Sequence, residues 1–134
     1  MIQAVIVDTN VLIVANGKSE HAGRECFSNC IRALERAQKQ QVIIIDSGMR
    51  IIKEYQRYSS LSGQPGLGDA FFKWLFYNHG NSLRCMQVDI SPRKDDTDDF
   101  EEFPADPDLR EFDRSDRKFV AVAVASTCQE ISVI

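Results

Sequence analysis

The chain alternates between short aliphatic runs and longer segments in which apolar residues recur at helical spacing. The aliphatic runs predict four strands, at residues 4–7, 42–45, 83–90 and 131–134. The first two lack any polar alternation, so they should be buried on both faces of the sheet. The periodic segments predict four helices, at residues 19–40, 47–58, 69–79 and 113–128. Strands that alternate with helices predict an α/β fold, with a central parallel sheet covered by helices on both faces.

Capping residues and prolines set the expected boundaries of these elements. Ser19 and Ser47 have the chemistry of helix N-caps, Asp69 opens the third helix, and Gly80 is suited to end it in the left-handed conformation. The acidic, proline-containing stretch at residues 91–108 predicts a solvated connection.

Length and composition are typical of one globular domain over residues 1–134. No apolar run approaches the roughly 20 residues that cross a bilayer, and no signal-peptide pattern opens the chain, so a cytoplasmic protein without membrane contact is expected. Residues 93–118 hold eleven carboxylates and six Lys or Arg, a balance of −5 within a total charge of −4. The rest of the chain is therefore slightly basic, and a nucleic-acid ligand is not excluded.

Polar residues directly follow the first predicted strand, where a core would otherwise be expected. Asp8, Thr9 and Asn10 stand between two aliphatic runs. Parallel α/β folds bind ligands beyond the carboxyl ends of their strands, so these side chains are candidate site residues.

Two further carboxylates are expected at the same edge of the sheet. Glu54 borders the apolar stripe of the second predicted helix, and Asp116 lies in the first turn of a helix that is apolar nearly all round. Three carboxylates about 4 Å apart would repel by roughly 4 kcal/mol per pair, so they favour a bound cation. An all-oxygen site suits Mg²⁺ or Mn²⁺. Asp113 is interpreted as a helix cap, with an auxiliary metal role left open.

Three segments of the chain together resemble the signature blocks of the PIN-domain nucleases: VIVDTNVLI, IIKEY and DRKFVAVAVAS. The resemblance implies a three-layer α/β/α sandwich that cleaves single-stranded RNA with Mg²⁺ or Mn²⁺. It implies that Asp8, Glu54 and Asp116 bind the metal as catalytic residues, supported by hydrogen bonds from Thr9 and Asn10. Many bacterial members, such as the VapC-type group, are toxins of toxin–antitoxin pairs. The family therefore also implies an antitoxin partner and a homodimer.

One departure concerns the chain end. The family commonly places another acidic residue just after the fourth strand, and no Asp or Glu follows Glu130 in this sequence. Either the chain is truncated at its C-terminus or the protein has a reduced site, and we predict that the full-length gene continues with an Asp or Glu soon after Ile134. The 134-residue form should then bind divalent metal more weakly than the longer form.

Other interpretations remain open at this stage. Arg50, Lys53 and Arg57 form a basic row beside Glu54 that could contact RNA phosphates or be a solvated helix face. A haloacid-dehalogenase-like phosphatase would need an acid at Asn10. The main rival is a degenerate PIN-like module that binds RNA or a protein partner without cleavage.

Overall fold

A four-stranded parallel sheet forms the centre of the protein. The structure, a computed structural model, describes residues 3–126 and 131–134. The strands are β1 (Ala4–Ile6), β2 (Val42–Asp46), β3 (Cys85–Val88) and β4 (Ile131–Val133). Their order is β3-β2-β1-β4, and every neighbouring pair is parallel. The α/β class and the position of the fourth strand beside the first are confirmed.

In the described part of the chain, five helices connect the strands. They are α1 (Thr9–Ala15), α2 (Arg24–Gln40), α3 (Arg50–Tyr58), α4 (Leu67–Asn78) and α5 (Arg117–Ala125). Short 3₁₀ turns at Pro107–Leu109 and Arg114–Asp116 precede α5. No helix in the described ranges is long and apolar enough to span a membrane.

The helix α1 was not predicted from the aliphatic pattern. It begins directly after β1, and the Asp8 carboxylate caps it by accepting a hydrogen bond from the Asn10 backbone N–H at 3.0 Å. Its apolar residues have no simple stripe, because α1 packs against α2, α3 and α4. A helix covered on several sides needs no polar face.

Two predicted N-caps are wrong. The second helix begins at Arg24 after Gly23, four residues later than a Ser19 cap would place it. The third begins at Arg50, after Met49 in the left-handed conformation, and not at Ser47. The start of α3 depends on a carboxylate outside that helix, Asp46.

Buried carboxylates satisfy the first N–H groups of α3 and α4. Asp46, fully buried at the end of β2, accepts from the backbone N–H of Arg50 at 3.0 Å and of Ile51 at 2.8 Å. Asp69 lies within α4, which begins two residues earlier than predicted, and accepts from the Gly66 N–H at 2.9 Å. Unpaired N–H groups at helix starts are costly when buried, so these carboxylates fix where the helices begin.

The predicted helix ends also differ in detail. The helix α4 ends at Asn78 with a right-handed cap at His79, and Gly80 has no positive φ. The last helix begins at Arg117, because the residues from 113 onward form a 3₁₀ turn first. Its predicted end at residue 128 lies outside the described residues.

A buried tyrosine joins α3 to the end of β1. Tyr55 is fully buried, and its hydroxyl donates to the backbone oxygen of Val7 at 2.5 Å. Burial, followed by the nearby charges of Glu54 and Asp8, raises the pKa of Tyr55 well above its ordinary value, so the hydroxyl stays a donor. This bond fixes the helix that carries Glu54 against the strand that precedes Asp8.

Candidate carboxylate site

Asp8, Glu54 and Asp116 come from three different elements and approach one another at the carboxyl end of β1. Asp8 follows β1, and its backbone N–H donates to the oxygen of Ile134 at 2.7 Å, beside the end of β4. Glu54 lies on α3, and Asp116 precedes α5. The sheet order explains the meeting point, because β1 lies between the strands that feed α3 and receive α5.

Both oxygens of Glu54 have partners. The Thr9 hydroxyl donates to Oε2, and the Lys118 ammonium donates to Oε1 at 2.6 Å. The side chains of Lys118 and Glu54 are only 12% and 13% exposed. Lys118 also donates to the backbone oxygen of Ser115. The ion pair is therefore largely shielded from solvent and held at both ends.

The charge on Asp116 is disfavoured by its surroundings. Partial burial, then the negative charges of Asp113, Asp8 and Glu54, raise the pKa of Asp116, while Lys118 acts in the opposite direction. Asp8 and Asp116 line the same cavity, and the Thr9 hydroxyl links Glu54 to the residue after Asp8, so the three carboxylates belong to one region of the fold.

The remaining predicted site residues have more local roles. Asp113 accepts from the Ser115 N–H at 2.9 Å and caps the 3₁₀ turn, so its interpretation as a cap is confirmed. These hydrogen bonds, from the hydroxyl and the N–H of Ser115, hold the pKa of Asp113 below its usual range. Asn10 is exposed and contributes its backbone N–H to Asp8.

The carboxylates fit a divalent cation only in part. Across the described residues, no group of three or more Asp, Glu, His or Cys side chains is close enough to hold a metal ion. Asp8 and Asp116 remain as an oxygen pair suited to Mg²⁺ or Mn²⁺. Glu54 does not complete the set in this arrangement, because the Lys118 ammonium and the Thr9 hydroxyl already occupy its two oxygens.

An apolar cavity of about 430 Å³ adjoins Asp8 and Asp116. Its other walls are the aromatic rings of Phe112 and Phe119 and the aliphatic side chains of the outer face of α5. Phe112 is 37% exposed, so one ring is accessible to a ligand. The cavity thus joins two carboxylates to an aromatic surface.

A polar cavity of about 550 Å³ lies on the Glu54 side of the site. Its cationic lining comes from α3, from the 3₁₀ turn before α5 and from α5 itself: Arg50, Lys53, Arg57, Arg114 and Lys118. Ser115 lines this cavity and Asp116 lines the apolar one, so consecutive residues of one segment contribute to both cavities. The predicted basic row of Arg50, Lys53 and Arg57 therefore lines one cavity, which we call the basic groove.

The cations of this groove are not equally available. Arg50 pairs with buried Asp46 at 3.5 Å and lies over the Phe100 ring. Arg114 pairs with Asp96 of the acidic connection. Lys53 and Arg57 are exposed on α3, and they are the better candidates for contact with an anionic ligand.

Three residues of the site were missed in the sequence: Lys118, Arg114 and Phe112. Lys118 gives a signal, since it and Arg117 are two cations at the start of an otherwise apolar helix. Arg114 and Phe112 give none, because Arg114 stands in the first turn of the predicted last helix and Phe112 falls outside every predicted element. Only the fold turns that segment towards α3.

Comparisons of the chain with family models, with curated proteins and with solved structures found no match.

Proposed function

We propose that the protein is a divalent-metal-dependent endoribonuclease of the PIN type that cleaves single-stranded RNA. One observation carries this proposal: Asp8 and Asp116 line one cavity, and Glu54, which accepts from Thr9 beside Asp8, lines a second cavity rich in cations. Clustered acids next to a basic groove suit a reaction that holds phosphates and activates a water near them.

The connections support a three-layer α/β/α arrangement. Given the strand order β3-β2-β1-β4, the chain moves in one direction through the first two crossovers and returns in the third. Right-handed crossovers then put α5 on the opposite face of the sheet from α1, α2 and α4. The packing of α1 with α2 and α4, and of α5 with β2, agrees with this placement.

In this proposal, residues of the two cavities bind different parts of the RNA and the metal ion. Lys53 and Arg57 bind phosphates of the RNA, and the exposed ring of Phe112 takes a base against the apolar cavity. Asp8 and Asp116, at the edge of the apolar cavity, would hold Mg²⁺ or Mn²⁺. When bound, such an ion neutralises phosphate charge and lowers the pKa of a water.

The proposal includes the family's biology. A cytoplasmic toxin that forms a homodimer and is neutralised by an antitoxin follows from the resemblance of the three sequence blocks. These partners rest on that resemblance alone.

A second candidate function is a PIN-like module that binds RNA or a protein partner without cleavage. The Lys118–Glu54 ion pair favours it, because one carboxylate of the expected metal set is already neutralised. The two functions differ in a single observable, which is metal-dependent scission of bound RNA.

A cleavage assay separates them. Purified protein is incubated with end-labelled single-stranded RNA in Mg²⁺, in Mn²⁺ or in EDTA, beside Asp8→Asn and the charge-matched control Asp95→Asn in the exposed acidic connection. We expect cleavage with metal by the wild type and Asp95→Asn, and none by Asp8→Asn. Binding without cleavage in every condition would favour the second function, and unaltered cleavage by Asp8→Asn would exclude Asp8 from the site.

A further inference from the structure

The ammonium group of Lys118 occupies an unusual position among the acids of the site. It contacts Glu54 Oε1 at 2.6 Å and the Ser115 oxygen, and it lies 5.2 Å from the centre of the Phe119 ring. At 12% exposure the side chain is not free to turn into solvent without losing all of these contacts. Several groups of the protein therefore hold the Lys118 ammonium in this position.

The acids around it explain what this cation does. Asp8 and Asp116 line one cavity, and Glu54 accepts from Thr9, the residue after Asp8, so an unpaired Glu54 would add a third negative charge in a partly buried place. Like charges that cannot be hydrated are costly, and an ammonium group that pairs with one of them lowers that cost. Lys118 supplies the positive charge that a three-carboxylate site would otherwise take from a metal.

We infer that Lys118 is the resident counter-cation of this site, so that Glu54 belongs to an ion pair and a divalent ion is bound by Asp8 and Asp116 without Glu54. The inference rests on the proposed function and changes its ligand set. Glu54 becomes available to a metal only when Lys118 leaves. Lys118 therefore sets the metal affinity of the protein from within the fold.

Calorimetric titration with Mn²⁺ tests this in the full chain at fixed pH and ionic strength. Lys118→Met removes the charge and keeps most of the side-chain volume, and we expect Mn²⁺ to bind about tenfold more tightly. The matched control is Lys53→Met, which removes an exposed charge from the same cavity without touching Glu54. We expect a change below about twofold for the control.

The role of Glu54 is read from a double-mutant cycle. Glu54→Gln in the wild-type background should change Mn²⁺ affinity by less than about twofold, whereas in the Lys118→Met background it should abolish the gain. Equal affinities of wild type and Lys118→Met, or a loss of about tenfold in Glu54→Gln alone, would overturn the inference. If Lys118→Met fails to fold, Glu54→Gln alone decides between these outcomes.

The outcomes also separate this inference from the proposed function. RNA cleavage by the wild type together with unchanged Mn²⁺ affinity in Lys118→Met would retain the nuclease and remove the role of Lys118. Tighter Mn²⁺ binding by Lys118→Met, with no RNA cleavage by any variant, would do the reverse.

Discussion

At the scale of single residues, the site contains more negative charge than its one shielded ion pair neutralises. Lys118 pairs with Glu54. Asp116 remains partly buried and subject to the negative charges of Asp113 and Asp8. These effects raise the pKa of Asp116 above its value in the unfolded chain. When a carboxyl group binds its proton more tightly in the folded state than in the unfolded chain, its ionisation lowers the stability of the folded protein.

Asp116→Asn should therefore raise the melting temperature at pH 7 in EDTA. The raised pKa means that the penalty is absent below the unfolded value, near pH 4, and is complete above the folded value. The gain from the substitution should accordingly shrink as the pH falls from 7 towards 4. Differential scanning calorimetry over this range, with Asp95→Asn as control, measures it. A gain that is the same at every pH would show that charge is not its cause.

At the scale of elements, α1 and α4 approach each other so closely that a glycine is required. A Cβ on Gly68 would lie 2.3 Å from the Leu12 backbone oxygen and 2.8 Å from Asn16 Oδ1. Asn16 in turn accepts from the Asp69 N–H at 2.7 Å and donates to the Tyr58 oxygen at 3.2 Å. The contact thus joins three helices through hydrogen bonds that depend on close packing.

Gly68→Ala should lower the free energy of unfolding by about 1–3 kcal/mol, because overpacking outweighs the better helix propensity of alanine. Gly80→Ala is the control, since nothing lies within 4 Å of a Cβ there. Urea denaturation of both variants gives the comparison. Equal stability of the two would mean that α1 and α4 can move apart at little cost.

A second element-scale prediction concerns the start of α3. Asp46→Asn should cost about 1–3 kcal/mol, because the buried side chain loses the charge that accepts two backbone N–H groups and pairs with Arg50. The matched control is Asp89→Asn, an exposed aspartate after β3. A loss no larger than that of the control would leave the capping role of Asp46 without support.

The strands were predictable and several helix boundaries were not, for a physical reason. A strand buried on both faces must be aliphatic throughout, and the sequence displays this directly at β1 and β2. The starts of α3 and α4 depend instead on Asp46 and Asp69, whose carboxylates reach N–H groups by tertiary placement. Likewise, Glu54 was found from its position on a helix, whereas its partner Lys118 is 64 residues away in the sequence.

At the scale of the whole molecule, acidic and basic surfaces lie side by side. The acidic connection is anchored to the rest by ion pairs, among them Arg117 with Asp99 at 3.2 Å and Arg114 with Asp96. The groove beside it gathers cations despite a net charge of −4. Local charge, and not the total, governs attraction of a polyanion over a Debye length of about 8–10 Å.

Replacement of Lys53 and Arg57 by Ala together should therefore weaken binding of single-stranded RNA and flatten its salt dependence. If each side chain neutralises one phosphate, the slope of log K against log salt falls by about 1.4, at about 0.7 per contact. Fluorescence anisotropy in the Asp8→Asn background measures it without cleavage. The control pair is Arg36 and Lys39 on α2, exposed and outside both cavities, whose replacement removes the same charge. If the slope changes equally in both double variants, the effect is due to net charge. If the slope does not change, Lys53 and Arg57 do not contact the RNA phosphates.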